Sequence, residues 1–394
     1  MVFSKKPLHF IIATLTACLS FSGFANPVQD SVASPANHPH ETTAHAAAAA
    51  GHPEAPALSE ADQKEAERKE FIKHHLLDSH DFHLFSYGKD SGHEKHIGFP
   101  LPVILWDNGL HVFMSSKFDH GHAVAESNGN YYMIGHHDGK IYKTDAAGTV
   151  SHDEKGHVTN AQPLDFSITK NIVMILVVGL LMFLLFAGLG KSYKKNGSIA
   201  KGAGRFFEPL VLYVRDEIAI PNIGEKHYKR YMSFLLTIFF FVWFMNMFGL
   251  TPLGVNVTGN IAITAALAVL TYLITTFTAK KDYWKHIFWM PGVPAPMKII
   301  LAPIELLGTI IKPFSLMIRL YANMIAGHVV LMSLIALMYK ADHALGSPLA
   351  FLLAFVLTIL EVLVALLQAY IFTMLAALYF GAAVEEHHHE EAHH

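Results

Sequence analysis

The sequence predicts an all-α integral membrane protein with a small β-rich periplasmic domain ahead of its first span. The membrane part should contain one N-terminal span, a two-helix hairpin and two long tilted helices. Three observations predict this class. Of the 394 residues, 52% are hydrophobic and only 15% charged; the mean hydropathy is +0.32; and the apolar residues are concentrated after position 167. The net charge of −3 gives no indication of nucleic-acid binding.

Residues 1–25 have the pattern of a secretory signal peptide. Two lysines precede an apolar run that ends near Phe21, and Gly23 and Ala25 suit the small-residue positions of a cleavage site. Cleavage after Ala25 removes the only cysteine, Cys18, and with it any disulfide or thiol chemistry. The alternative is that the stretch "LTAC" is a lipoprotein cleavage box and that Cys18 is lipidated.

The polar region between the signal peptide and the first span divides into two parts. Residues 26–81 are rich in Ala, Pro and His, which predicts a disordered segment that ends in a short helix from about Ser59 to Leu77. Residues 82–165 contain short alternating runs between turns, including a hairpin around His137-Asp138-Gly139. This second part is the predicted β-rich domain.

Histidine is unusually frequent outside the membrane part. Of the 27 histidines, 17 fall between residues 26 and 165, and five lie in the acidic tail at 385–394. A zinc or copper site is possible, but the spacings are irregular and no HExxH motif occurs. We therefore predict solvated histidines, with no metal and no cofactor.

Residues 166–384 form the predicted membrane domain. A first span at 167–190 is followed by a Lys-rich loop, and residues 203–229 mix apolar and charged residues as in a helix at the interface. Spans at about 231–250 and 259–279 precede a second basic stretch, "AKKDYWKH". The positive-inside rule then places the N-terminal domain in the periplasm of a bacterial inner membrane and the C-terminus in the cytoplasm.

The last two segments are too long to stand upright in a bilayer. The stretch Met297–Tyr339 is compatible with helix over more than 40 residues, apart from two prolines, and a second such stretch covers about Pro348–Val384. At 1.5 Å per residue, the first stretch measures about 60 Å, roughly twice the hydrocarbon thickness. These helices must tilt or kink.

Polar residues inside these two segments fall into pairs by depth. In an antiparallel hairpin that turns near residue 344, Arg319 lies level with Gln368, and His328 lies level with Glu361. Charged residues within a span are normally partnered and functional. Depth alone therefore indicates one polar site around the arginine and a second one around the histidine.

Helical phase separates these polar residues further. Asn323 follows Arg319 by four residues and shares its face, and Glu305, fourteen residues earlier, returns close to that face. His328 points the other way. The pattern predicts two polar patches, with Glu305 toward the cytoplasm, His328 and Glu361 toward the periplasm, and Arg319 between them. Protons could enter one patch and leave the other without passing the arginine directly.

The stretch "SLMIRLYANMIAGH", with "APIELL" before it and "LLQAYIFTMLAALYFGAAVEEH" after it, resembles subunit a of the F-type ATP synthase. The resemblance covers about 166–386 and leaves 26–165 unexplained. It implies a stator subunit that feeds protons to a ring of c subunits beside subunit b, with no nucleotide bound to this chain. In many bacterial members the carboxylate follows the "AG" pair and the histidine lies on the last helix, whereas His328 and Glu361 stand exchanged here.

The resemblance also implies a role for each polar residue. Arg319 corresponds to the essential arginine, which draws the ring carboxylate into its ionised form. Glu305 lines the cytoplasmic half-channel, and His328 and Glu361 line the periplasmic one. Asn323 and Gln368 support the arginine in this assignment.

Structural explanations stand beside these roles. Arg319 could be a snorkelling side chain, although it lies far from both ends of its segment. His328 could be a helix-packing histidine, Glu305 could cap a bent helix near Pro303, and Gln368 could serve as interhelical glue.

Two other functions compete with the stator. A proton-coupled secondary transporter could use the same charges, but the halves show no internal repeat. An intramembrane hydrolase would need a nucleophile or a full metal-ligand set at helical spacing, which the segments lack. The stretch "GLGKS" at 188–192 imitates the end of a phosphate-binding loop but follows a membrane helix, so we expect no nucleotide there.

Overall fold

The structure is a computed structural model, and it describes residues 78–87, 95–121, 123–135, 138–153, 158–196, 202–251, 255–290, 293–340 and 346–385. The predicted signal peptide, the Ala- and His-rich segment with its short helix, the turn near residue 344 and nearly all of the acidic tail lie outside the described residues. Those expectations stay predictions.

Short β-strands precede the first long helix and form three small antiparallel sheets. The strands are β1 (Asp81–Tyr87), β2 (Lys95–Pro100), β3 (Pro102–Trp106), β4 (Leu110–Met114), β5 (Ala125–Ser127), β6 (Asn130–Ile134), β7 (Ile141–Thr144) and β8 (Leu164–Asp165). Strand β1 pairs with β2, β3 lies between β4 and β8, and β6 lies between β5 and β7. The prediction of a β-rich N-terminal domain is therefore confirmed.

The hairpin predicted near residue 138 is the pair β6–β7, in which Tyr132 lies opposite Lys143. Side chains alternate between the two faces of a strand, and the inward ones form one small core. Its members are Val103, Leu105, Phe113, Phe118, Ala125, Tyr132 and Ile141. At its edge Lys143 donates to the Asp107 carboxylate at 2.7 Å, and this bond lowers the pKa of Asp107.

The β-rich domain is fastened to the start of the first long helix, α1 (Lys170–Asn196). The backbone N–H of Phe166 donates to the carbonyl of Ile104 at 2.8 Å, and that of Lys170 donates to the carbonyl of Ser79 at 3.0 Å. Because main-chain groups form these bonds, the domain and the helix have a defined orientation at their junction.

A buried ion pair lies at the same junction. The Nε2 of His80 lies 3.0 Å from the Asp165 carboxylate. Burial by itself lowers the pKa of His80, but the hydrogen bond to Asp165 and the nearby charges of Asp165, Asp78 and Asp81 outweigh it, so the pKa is raised. The Asp78 carboxylate also accepts from the backbone N–H of Asn171, in the first turn of α1, where a negative charge is favourable.

After the β-rich domain, the described residues are mainly helical. After α1 come α2 (Ala203–Tyr213), a π-helical turn (Val214–Ala219), α3 (Ile220–Ile223), α4 (Tyr228–Gly249), α5 (Ile261–Thr278), α6 (Lys281–Phe288), α7 (Ala295–Lys340) and α8 (Gly346–Val384). Within the described residues, α1, α4, α5, α7 and α8 are long and apolar enough to cross a membrane. This confirms the predicted helical membrane part, while the interfacial helix of 203–229 is shorter than expected and contains the π-helical turn.

The predicted two-helix hairpin is a hairpin in connectivity but not in packing. In the described part of the chain, α4 packs against α8 and α1, whereas α5 packs against α7 and α8, and α4 and α5 share little contact. The reason is the aromatic surface of α4, whose Phe234, Phe239 and Phe240 are fully buried. Large rings bury more apolar area when they pack against α1 and α8 than they would against α5, whose residues are mostly smaller.

The two longest helices carry most of the exposed apolar surface. Helix α7 has 46 residues and α8 has 39, so α7 measures about 69 Å along its axis. Large apolar side chains such as Ile304, Ile311, Phe355 and Leu363 are exposed on them. A soluble protein rarely presents so much contiguous apolar area, so these faces belong to lipid or to partner helices.

Candidate functional site

The site expected from the sequence lies where α7 and α8 pack side by side. The side-chain amide of Asn323 donates to Gln368 at 2.7 Å, and Gly327 lies against the carboxyl group of Glu361. The partner numbers rise along α7 as they fall along α8, so the two helices run antiparallel as predicted.

Arg319 lies on the open face of α7. Its side chain is exposed, and it forms no hydrogen bond or ion pair with the described residues. The neighbouring side chains Phe314 and Ile318 are exposed and apolar. A guanidinium stays protonated and presents five N–H donors. Among the described residues, the guanidinium interacts electrostatically with the phenol of Tyr379 on α8 but forms no ion pair with a carboxylate. At membrane depth such a charge is normally paired with an acid, so we look for that acid outside the described residues.

The amides near Arg319 bind each other instead of the guanidinium. The sequence placed Arg319 level with Gln368 and gave Asn323 and Gln368 a supporting role. In the structure Gln368 is buried between the helices, whereas Arg319 faces outward. Arg319 and Gln368 lie in neighbouring turns of the two helices, but their side chains point in different directions.

His328 and Glu361 line one cavity of about 270 Å³. Asn246, Asn323 and Gln368 supply its other polar lining groups. The predicted pairing by depth thus brings the histidine and the carboxylate to one space, although the described residues show no direct hydrogen bond between them. Neither Arg319 nor Glu305 lines this cavity.

His328 is held by the backbone of α4. Its ring is buried, and Nε2 lies 3.1 Å from the carbonyl oxygen of Gly249. A carbonyl oxygen only accepts, so Nε2 carries the proton in this contact. A Cβ atom at Gly249 would overlap the terminal methyl group of Met324, so that side chain would have to move.

Glu361 is a buried carboxyl group without a hydrogen-bond partner among the described residues. Its side chain is only 8% exposed, and neither carboxyl oxygen is bonded. A Cβ atom at Gly327 would lie 3.2 Å from Oε1, so a larger residue there would press on the carboxyl group. Burying an unpaired charge is expensive, which makes this group suited to exchange a proton rather than to stay permanently ionised.

Glu305 belongs to a second cavity, of about 210 Å³. The charged side chains on its lining come from three elements: Asp282 and His286 from α6, Glu305 and Lys312 from α7, and Glu385 after α8. The two cavities share no lining residue. Along α7, Arg319 falls between Lys312, which lines the second cavity, and Asn323, which lines the first.

A much smaller space of about 20 Å³ lies next to the second cavity. Hydroxyl groups from Thr271, Thr275, Thr309 and Tyr379 are among its lining residues, and Lys312 borders both spaces. On α7 the lining of this space continues from Thr309 and Lys312 to the apolar side chains of Pro313 and Leu316.

Three functional candidates escaped the sequence analysis: Asn246, Asp282 and His286. The one-turn spacing of Asp282 and His286 within "AKKDYWKH" was the available signal for these two, but that stretch was interpreted only as a basic loop. Asn246 offered no signal, because a single amide within an aromatic helix is usually a packing residue. In the structure it accepts from Thr258 at 2.8 Å.

Two other expectations concern metals and nucleotides. Among the described residues, no group of three or more His, Cys, Asp or Glu side chains is arranged to hold a metal ion. The stretch at 188–192 lies within α1, so the residues that imitate a phosphate-binding loop are part of a helix.

Comparison with known proteins identifies the helical part. A family model described as ATP synthase A chain matches residues 172–381. The ATP synthase subunit a of Chloroherpeton thalassium is 40% identical over 237 residues, which are 58% of this chain and 70% of that protein. That of Myxococcus xanthus is 42% identical over 227 residues, 56% of this chain and 74% of the relative. ATP synthase subunit a 2 of Prosthecochloris aestuarii is 35% identical over 311 residues, 74% of this chain and 94% of the relative.

The β-rich part has a match of its own. A second family model, described as a domain of unknown function (DUF8433), matches residues 71–166. The matched range contains all eight strands of the described residues and ends just after β8. The two family matches thus divide the chain at the junction where the β-rich domain is bonded to α1.

Proposed function

The chain belongs to the ATP synthase A chain family, and we propose that it is the proton-translocating stator subunit a of an F-type ATP synthase. It acts as a subunit without nucleotide chemistry of its own. It forms two offset half-channels that load and unload the carboxylate of a c-ring past Arg319.

One observation carries this proposal: an exposed guanidinium without a carboxylate partner among the described residues falls, along α7, between two separate cavities that each contain ionisable side chains. A continuous pore would let protons leak across the membrane without doing work. Two cavities with no common lining residue instead suit a path that is completed only by a moving carrier. The carrier is the ring carboxylate, and the open face of α7 around Arg319 is where it passes.

Arg319 acts through a charge that is never lost. A carboxylic acid that approaches a guanidinium in a medium of low dielectric is favoured in its ionised form, because the opposite charge lowers its pKa. The incoming ring carboxyl therefore gives up its proton to the unloading cavity. After it leaves Arg319, the carboxylate faces apolar surroundings and takes a proton from the loading cavity.

The two cavities have different proton-exchanging groups. His328 and Glu361 serve the periplasmic half-channel, in which an imidazole and a carboxyl group share one space. Glu305 serves the cytoplasmic half-channel. Asn323 and Gln368, bonded to each other beside Arg319, position the local backbone and limit access from the first cavity to the arginine.

The topology follows from the charges at the ends of the helices. Lysines lie in the last two turns of α1 and directly after α5, which supports a cytoplasmic side for these ends. The domain of 82–165 then lies in the periplasm, residues 166–384 form the proton-channel domain in the inner membrane, and the tail at 385–394 is cytoplasmic. The c-ring and subunit b are the proposed partners. The alternative of a secondary transporter finds no support in the comparisons.

The decisive test is Arg319→Lys. Lysine keeps one positive charge but loses the delocalised, permanently protonated fork. We expect gradient-driven ATP synthesis in membrane vesicles to be abolished while the complex still assembles. Synthesis is measured by luminescence, and assembly is measured by copurification of the ring and the soluble subunits.

The matched control is Lys298→Arg, near the start of α7. This side chain lies over the Trp289 ring at 4.4 Å, and arginine keeps both the charge and the stacking. The control should synthesise ATP as the wild type does. Normal synthesis by Arg319→Lys would refute the proposed role of the arginine.

A further inference from the structure

Ionisable side chains from three elements surround the cavity that contains Glu305. They are Asp282, Tyr283, His286, Glu305, Lys312 and Glu385. A water molecule needs roughly 10–15 Å³ of space that its centre can occupy. The cavity, at about 210 Å³, therefore has room for several, and protons can cross such a space along hydrogen bonds.

Helix α6 presents one face to this cavity. Asp282 and His286 are one turn apart and both line it, while Ile287 beside them is buried and fixes the rotation of the helix. The backbone N–H of Lys280, just before α6, donates to the carbonyl of Ala383 in α8 at 2.9 Å. This bond holds the start of α6 against the end of α8, so the position of His286 is defined by the fold.

Among the described lining residues, His286 alone carries an imidazole. A carboxylate holds a proton weakly near neutral pH, and an ammonium or a phenol releases one reluctantly. An imidazole both accepts and donates readily in this range. A relay that must run in both directions, for synthesis and for hydrolysis, therefore works best with such a group at its entrance.

We propose that His286 transfers protons between the Glu305 cavity and the bulk water on that side of the membrane, an inference that rests on the proposed function. When protons leave, the Glu305 carboxylic acid passes its proton to the neutral imidazole and becomes a carboxylate. The imidazolium then gives the proton to water or to a buffer base. Both steps reverse when protons enter. Asp282, one turn before His286 on the same helix, is a positioning residue that lines the same cavity.

The test uses inverted membrane vesicles that contain the complete complex, in a weakly buffered medium. We expect His286→Gln to lower ATP-driven proton pumping several-fold, and addition of imidazole buffer to restore it. An equal ionic strength of a salt without buffering capacity should restore nothing. The control is His227→Gln: this ring lies 3.2 Å from the Lys280 ammonium but does not line the cavity, and pumping should be unchanged.

Each other outcome overturns the inference. Wild-type pumping by His286→Gln in weak buffer would show that the imidazole is not needed. A loss that imidazole does not restore would show a structural role, as would an equal loss in the His227 control. If His286→Gln impairs assembly, His286→Asn is measured in the same way. None of these results affects the proposed function, because Arg319→Lys tests that separately.

Discussion

Two cations of α7, Lys312 and Arg319, show how the surroundings of a side chain decide its role. They are seven residues apart and share a face. The ammonium of Lys312 lies over the Tyr379 ring at 5.7 Å and borders a polar cavity, so it has partners within the chain. Arg319 interacts electrostatically with the same Tyr379 but pairs with no carboxylate among the described residues, and a charge at a helix centre costs roughly 2.5–3.5 kcal/mol on insertion scales. An external carboxylate is the partner that offsets this cost.

The exchange of His328 and Glu361 tests whether they act as a pair. Each single change, His328→Glu or Glu361→His, removes one of two unlike groups, and we expect a loss of about tenfold or more in synthesis. The double exchange restores one imidazole and one carboxyl group to the same cavity, so it should retain more activity than either single variant. ATP synthesis driven by an imposed proton gradient is the measurement.

A double variant without titratable groups, His328→Gln with Glu361→Gln, is the control for this exchange. It keeps side chains of similar size but should be inactive. If the double exchange is no better than the weaker single variant, the two residues do not act as a pair and the shared cavity has no functional meaning.

At the scale of the residue, the sequence predicted the depth of each polar side chain in the membrane but not the direction in which that side chain points. Counting from the turn predicted that His328 and Glu361 share a depth, and both line one cavity, but it paired Gln368 with Arg319, whereas the Gln368 amide binds Asn323 one turn further along α7. It could not show that Gln368 points inward while Arg319 points outward, because both follow from how α8 is rotated against α4 and α7. That rotation is set by many long-range contacts and not by local periodicity.

At the element scale, close approach between helices depends on small residues. Gly381 of α8 crosses the short helix α3, and a Cβ atom at this position would collide with the backbone carbonyl of Asn222. A backbone atom cannot move aside as a flexible side chain can. We expect Gly381→Ala to destabilise the protein by about 1–3 kcal/mol, measured as a lower thermal unfolding midpoint in detergent.

The matched control for this substitution is Gly188→Ala in α1. Apart from the neighbouring residues and backbone of its own helix, no atom lies within 4 Å of the added methyl group there, and alanine favours a helix over glycine by roughly 0.5–1 kcal/mol. The control should unfold at the same temperature as the wild type or slightly higher. Equal shifts in the two variants would mean that the contact between α3 and α8 is not tight.

Helices marked by a long apolar run in the sequence were predicted well. All five long apolar helices were found from hydropathy, with ends within a few residues. Helix α6 was missed because its eight residues carry charges on one side and aromatic groups on the other, a pattern too short to separate from a basic loop. The π-helical turn at Val214–Ala219 was also missed, since it depends on how α2 and α3 fit against α8.

At the scale of the whole molecule, two parts of different composition meet at one junction. The alternation of apolar residues predicted strands before residue 165, but it could not give three sheets of this order, because strand pairing depends on partners far apart in sequence. The backbone hydrogen bonds from Phe166 and Lys170 to the β-rich domain likewise join residues far apart in sequence, so local patterns could not predict them. They nevertheless decide how the domain stands on the membrane helix.

The stability of this junction should depend on pH through His80. Because its pKa is raised from 6.5 in the folded protein, its contribution is complete below about pH 6.5 and is lost as pH rises through the higher folded value. Burial also raises the pKa of Asp78, which weakens the junction in the same direction. The pKa of Asp165 is lowered from 3.8, so its contribution is lost only in stronger acid.

The last prediction is therefore a loss of junction stability that depends on pH. His80→Gln removes a charge-assisted hydrogen bond worth about 1.5–3 kcal/mol, and we expect the full deficit at about pH 6 and a smaller one at about pH 9. Hydrogen-exchange protection of the Phe166 and Lys170 amides, corrected for intrinsic exchange, measures it. The exposed His152, changed to Gln, is the control and should show no deficit. An equal deficit at both pH values would mean that His80 acts by packing alone, since only the ion pair is lost as the imidazole gives up its proton.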